Sequence, residues 1–199
     1  MALAYLIGKA SAKLLKVNIN VPLILVLSVI PDIDIIFNFI LHTNVHRGPT
    51  HSVITAILVF IPFFIYYRKK AAPYFLALLS HSLIADFIVG GQLQLLWPLS
   101  TQEFGNTSIS IYSPVNVALE FTLFVIALTV MLKTRDFKQF FRNSKLNWIL
   151  TIPIFTVLLP TFSGYPLRVP ILLVLPHLFY LVLFAISVLI QFKNVLVRP

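Results

Sequence analysis

Six apolar runs, near residues 19–41, 51–67, 72–96, 113–132, 147–163 and 169–191, make up most of this chain and leave it few ways to fold. Each is close to the ~20 residues that a helix needs to cross a bilayer core. The runs are continuous rather than alternating, and an open strand edge cannot face lipid, so helices are expected. Hydrophobic residues are 59% of the sequence and charged residues 11%, against roughly 45–50% and about 25% in soluble domains. The expected fold is an all-α, polytopic membrane helix bundle with about six transmembrane helices, a single membrane domain over residues 1–199.

The basic residues set the expected orientation. Lys9, Lys13 and Lys16 precede the first run, Arg68 to Lys70 follow the second, Lys133 to Lys145 follow the fourth, and Lys193 and Arg198 close the chain. With six spans these all fall on one side, which the positive-inside rule makes cytoplasmic. Both termini are then cytoplasmic in a multi-pass protein of the cell (inner) membrane, with outer loops near 42–50, 97–112 and 164–168 that carry Arg47 and Arg168. Residues 1–18 are expected as an interfacial lead-in, because a cleavable signal has its charge before its apolar core. Topology accounts for the net charge of +9, so nucleic acid is not an expected partner. The absence of cysteine excludes disulfides, thiolate ligands and cysteine nucleophiles.

Against this apolar background, Asp32, Asp34 and Asp86 supply half of the six acids, and His46, His51 and His81 lie in the same stretch. A carboxylate among Ile, Leu and Phe is costly unless something compensates it, and a bound cation is the most direct compensation. These six residues are the candidate metal ligands, within a site core spanning residues 31–120. On ~1.5 Å rise per residue, Asp34, Asp86 and Glu120 each lie roughly 10 Å below the outer ends of their runs, so the polar groups converge on the outer half of the membrane. Residues two apart on a regular helix point nearly oppositely. Asp32 and Asp34 can therefore share a pocket only where the helix is distorted, and Pro31 supplies a cause.

The segment His46-Arg47-Gly48-Pro49-Thr50-His51-Ser52 has the composition of a loop turning into a helix. Gly48 and Pro49 favour the turn, and Thr50 is a candidate N-cap. Arg47 is placed to bind a phosphate or carboxylate of a substrate. His42 and His177 are expected in structural roles, and Trp97 and Tyr112 fit an interfacial aromatic belt.

Pro31-Asp32-Ile33-Asp34, His46 to Ser52, Ser80-His81 leading to Asp86, and Leu96-Trp97-Pro98-Leu99-Ser100 resemble, in order and spacing, the signatures of the YdjM-like membrane-bound, predicted metal-dependent hydrolases. The four blocks cover residues 31–100, and beyond them the likeness is one of hydrophobicity. The family pattern has the His and Asp of the third span four residues apart, whereas His81 and Asp86 are five apart here. On a regular helix five residues separate two groups by about 140°. Either a bulge restores the phase or the two groups serve different metals.

The resemblance implies hydrolysis at a metal centre, and mixed imidazole and carboxylate ligands suit zinc, manganese or iron. Zinc is the expected cofactor, as one or two ions, since the candidates outnumber the ligands of one catalytic zinc. Asp34 and Glu120 are the candidate catalytic carboxylates and Arg47 the candidate anion-binding group. Glu120 is open between ligand, partner to a histidine and general base. The site's location points to membrane lipids as surroundings and to a phosphoester of a lipid or lipid-linked molecule as substrate. The alternative is a metal-ion or proton transporter using the same acids.

Overall fold

The computed structural model describes residues 1–35, 46–163 and 169–196. Among these, secondary structure is helical, apart from an isolated antiparallel bridge between Leu93 and Phe104. Three helices are long and apolar enough to cross a membrane: Pro114–Thr134, Lys145–Phe162 and Ile171–Lys193. The other helices are shorter. The expected loop at 164–168, Arg168, Arg198 and His42 lie outside the described residues, as do the last residues of the expected first span.

Helix α1 (Ala2–Leu15) buries Ala4, Tyr5, Gly8 and Ala12 on one face, so the expected lead-in contributes to the bundle core. Its close approach to the next helix depends on Gly8, where an added Cβ would stand 2.8 Å from Ile24 Cδ1. Helix α2 (Val21–Leu27) is capped by Asn20, whose side chain accepts from Leu23 N at 2.8 Å. The first apolar run does not continue as one helix. Residues Ile30–Ile33 form a 3-10 turn around Pro31, which cannot donate to the preceding turn.

Helix α3 (Val53–Tyr67) begins at Ser52, not at the expected cap Thr50. Ser52 Oγ accepts from Ile54 N and Thr55 N and donates to Trp97 O at 2.6 Å. One hydroxyl thus satisfies free amides of the first turn and ties the helix to the loop before Pro98. Helix α4 (Ala72–Ser80) starts with Pro73 in its first turn and passes into a π-helical segment, His81–Asp86. Helix α5 (Pro114–Thr134) has Ser113 as N-cap and ends where Arg135 adopts left-handed backbone. Helix α6 (Lys145–Phe162) contains Pro153, Pro160 and a second π-segment, Ile154–Leu158. Helix α7 (Ile171–Leu196) carries Pro176 within it.

The core joins α1, α2, α4, α5, α6 and α7 through Tyr5, Ile24, Ala77, Phe124, Leu158 and Phe184. Many large apolar side chains point outward instead, among them Leu58, Ile65, Val115, Leu132, Phe155 and Leu189, as lipid-facing surfaces do. The two ends of the bundle differ chemically. At one, buried Asp136 accepts from Tyr5 Oη at 2.7 Å, Lys9 Nζ at 2.6 Å and Thr134 Oγ1 at 2.7 Å. Glu120 lies thirteen residues before Lys133 on α5, roughly 20 Å along the axis at ~1.5 Å per residue. The Asp–His cluster belongs to this other end.

Candidate metal centre

Three irregular segments bring the acids and histidines together. The 3-10 turn after α2 presents Asp32 and Asp34, a short 3-10 turn at Pro49–His51 presents His51, and the π-segment after α4 presents His81 and Asp86. The donor atoms of Asp32, His51, His81 and Asp86 all lie within 4.8 Å of one another. Imidazole nitrogens and carboxylate oxygens alternate around the group. His51 Nε2 is 3.5 Å from Asp32 Oδ1 and 3.2 Å from Asp86 Oδ2, and His81 Nε2 is 3.2 Å from both of the same oxygens.

The tautomer of His51 follows from its other nitrogen. Thr50 Oγ1 gives its proton to Asp34 Oδ2 at 2.6 Å, so at 3.1 Å from His51 Nδ1 it accepts. Nδ1 therefore carries a proton, and in the neutral ring the Nε2 lone pair faces two carboxylates. His51 is fully buried and its Nε2 has no hydrogen-bond partner. His81 Nε2 is within hydrogen-bond reach of Asp32 Oδ1 at 3.2 Å, but a His51 Nε2 lone pair facing two carboxylates is a poor member of a proton network and a fitting one of a divalent-cation site. The spacing agrees: a tetrahedral ion with bonds of about 2.0–2.1 Å separates its ligands by about 3.3–3.4 Å. The donor set of two imidazoles and two carboxylates suits zinc, manganese or iron.

Asp34 has a different place from Asp32. It is 2% exposed, and its carboxylate accepts from His46 Nδ1 at 2.8 Å, Arg47 N at 3.2 Å and Thr50 Oγ1 at 2.6 Å. Asp34, His46 and His51 also meet the spacing of a metal group, but Asp34 already has three donors and His51 Nδ1 is committed to Thr50. Asp34 thus holds the His46–Thr50 loop and, through Thr50, sits behind the His51 ring.

Arg47 and Glu120, also expected at the site, are found at its edges. Arg47 has left-handed backbone, and its guanidinium donates to Gly90 O. It lies against Gly90 and Gly91, whose φ values of 103° and 117° are in the region open chiefly to glycine. Arg47 fastens the His46–His51 loop to the chain leaving the π-segment, and it is not among the residues lining the cavity beside the cluster. Glu120 does line that cavity, of about 360 Å³, together with Asp32, His81 and Asp86. Glu120 Oε1 accepts from Asn116 Nδ2 at 3.0 Å, and Glu120 is not among the four clustered donors.

Sequence reasoning did not identify Gly90 and Gly91, Asn116, or the position of His177 on the same cavity wall. The adjacent glycines after an apolar helix were a usable signal, since paired glycines mark backbone that other residues cannot adopt. Nothing local marked His177.

A model described as YdjM inner membrane protein matches residues 1–189. No curated protein and no solved structure matches the chain.

Proposed function

The chain belongs to the YdjM inner membrane protein family, and we propose that its Asp–His cluster is the centre of a membrane-embedded metal-dependent hydrolase. Asp32, His51, His81 and Asp86 would hold one divalent ion, zinc first among the candidates, with Asp34 orienting His51. The observation that carries this is the buried His51 Nε2, unpartnered and facing two carboxylate oxygens at 3.2 and 3.5 Å. An ion held there would supply a water acidic enough to attack at neutral pH and a positive charge for a phosphoryl oxygen.

The substrate we propose is a phosphoester of a lipid or lipid-linked molecule. The cavity beside the cluster supports it, because Leu119, Leu123, Phe124, Leu158 and Leu173 make most of its wall apolar. Lys9 and Lys133 lie toward the Asp136 end of the bundle, away from the cluster, and by the positive-inside rule the cluster end would face outward; Met1 lines the cavity beside the cluster, so the N-terminus does not sit at the cytoplasmic end expected for it. The shorter helices α3 and α4 would cross together with their irregular extensions.

A transporter needs polar groups continuing through the bundle. The core cluster that joins the helices includes Val21, Ile24, Leu25, Ala127 and Met131, and so apolar a core favours a dead-ended site. The test is release of product from short-chain phospholipids and lipid phosphates by purified protein supplied with zinc or manganese. Activity lost in Asp86→Asn is the expected result. No bound metal after reconstitution, or metal flux into proteoliposomes without hydrolysis, would overturn the proposal.

A further inference from the structure

The residues that line the cavity differ in exposure, and the difference locates its mouth. Val29, Phe124, Leu158, Leu173 and Tyr180 are buried. The exposed members come from two places. Ile84 and Ile88, in and just after the π-segment, are 38% and 46% exposed, and Ile111 and Leu119, before and within α5, are 43% and 53% exposed. Among the described residues the cavity therefore opens between these two segments. The opening is on the side of the bundle: α5 is one of the helices able to cross a membrane, and Leu119 lies five residues into it, roughly 7.5 Å from its start at ~1.5 Å per residue.

Behind this apolar rim the lining turns polar. Glu120 Oε1 accepts from Asn116 Nδ2 at 3.0 Å. The Met1 α-ammonium, at the same cavity, attracts both Glu120 and Asp32. An acid on a membrane-spanning helix is costly against lipid tails, and this one is compensated from within the cavity. Asp32, His81 and Asp86 line the same space and are only partly buried, whereas His51 is fully buried. The cavity thus runs from isoleucine and leucine side chains at a membrane-facing surface to three of the four clustered donors.

Resting on the hydrolase assignment above, we infer that the gap between Ile84–Ile88 and Ile111–Leu119 is a lateral portal by which a two-chain lipid phosphoester reaches the cluster from within the bilayer. The apolar rim lets the lipid turn its phosphate inward while its chains stay in hydrocarbon, so the large cost of exposing them to water is avoided. The cavity volume of about 360 Å³ is at the small end of the roughly 300–1,000 Å³ typical of ligand pockets. It takes the head group and phosphate, and the acyl chains remain in the leaflet at the cluster end. Membrane residence is then the first selection on the substrate, ahead of any contact with its head group.

The experiment reads entry separately from hydrolysis. The full chain is reconstituted with zinc in nanodiscs of phosphatidylethanolamine and phosphatidylglycerol that include a phospholipid carrying a diazirine near its glycerol. On illumination the label is expected on Phe124 and Leu158, cavity-wall residues buried from the surrounding lipid. Because the chain has no cysteine, an Ile88→Cys, Leu119→Cys double variant can be bridged across the mouth with a bifunctional methanethiosulfonate, verified by intact mass, and released with a phosphine reductant. Bridging should lower wall labelling and phospholipid hydrolysis at least tenfold, and both should return on reduction while bound zinc stays constant. Absence of label from Phe124 and Leu158 in the unmodified protein overturns the inference without reference to any variant's folding, as does labelling that bridging leaves unchanged. Labelling that follows the bridge while no lipid is ever hydrolysed would instead remove the hydrolase assignment and leave the portal standing.

Discussion

His81 Nε2 stands 3.2 Å from Asp86 Oδ2 although five residues separate them. On an α-helix the two would diverge by about 140°. The segment His81–Asp86 is instead π-helical, and i→i+5 bonding brings residues five apart onto one face. The departure from the four-residue family spacing is thus absorbed locally, and both groups join Asp32 and His51 in one four-donor cluster.

A register test follows. Leu83, inside the π-segment and 40% exposed, is expendable: its deletion leaves His81 and Asp86 four apart, a spacing that an ordinary α-helix brings onto one face. Zinc binding measured by elemental analysis should survive this deletion. Inserting an alanine after Leu83 puts the pair six apart and should abolish binding. If the deletion variant, folded by circular dichroism, binds no metal, the π-turn account is wrong.

His51 and Asp34 should separate by magnitude. His51→Ala removes a clustered donor and strands buried carboxylates, so metal affinity should fall by more than about 100-fold. Asp34→Asn alters the group that holds His51 and should fall within the roughly 10–100-fold range of outer partners. Competition with a chromogenic chelator measures both. Comparable losses would place Asp34 among the ligands.

Metal removal should destabilise the fold, because an ion that binds only the folded cluster stabilises it by mass action. At a free concentration a thousand times the dissociation constant this amounts to about 4 kcal/mol. The thermal midpoint in detergent should therefore drop on chelation and recover with zinc. In an Asp32→Asn, Asp86→Asn double variant the chelator should have no effect.

Gly90→Ala tests the clamp on the loop. At φ 103° a side chain is strained, and the new Cβ would lie 2.9 Å from Arg47 Nη2 and 3.0 Å from Ile111 Cγ2. Destabilisation of ~1–3 kcal/mol is expected from the backbone conformation. Because Arg47 is displaced, the metal affinity should weaken as well. An unchanged affinity would show that the loop is held by Asp34 alone.

Much of the candidate centre was legible in the chain because burying acids and histidines in apolar runs is costly wherever the helices end up. Asp32, His51, His81 and Asp86 stood out for that reason, and Pro31 marked the break that lets the Asp32–Asp34 segment leave regular helix. The caps were less legible: Thr50 and Ser52 both suit a helix start, and their roles depend on the neighbours Asp34 and Trp97, remote in sequence. The first apolar run looked like one span, since hydrophobicity does not distinguish α-helix from the 3-10 turn at Ile30–Ile33.

What the sequence determined by itself is the environment and the ingredients: apolar helices suited to a membrane, and a short stretch holding the candidate metal-binding side chains. Both follow from transfer free energies, which are properties of residues and their neighbours along the chain. The tertiary structure decided which atoms face which. It separated Asp32, in the four-donor group, from Asp34, which supports His51, and it set Arg47 on Gly90. It also brought Glu120 and His177 from distant helices to one cavity wall. These depend on helix phase and packing, where a single residue of π-turn rotates a carboxylate by about 100°, and no local count of polar residues carries that information.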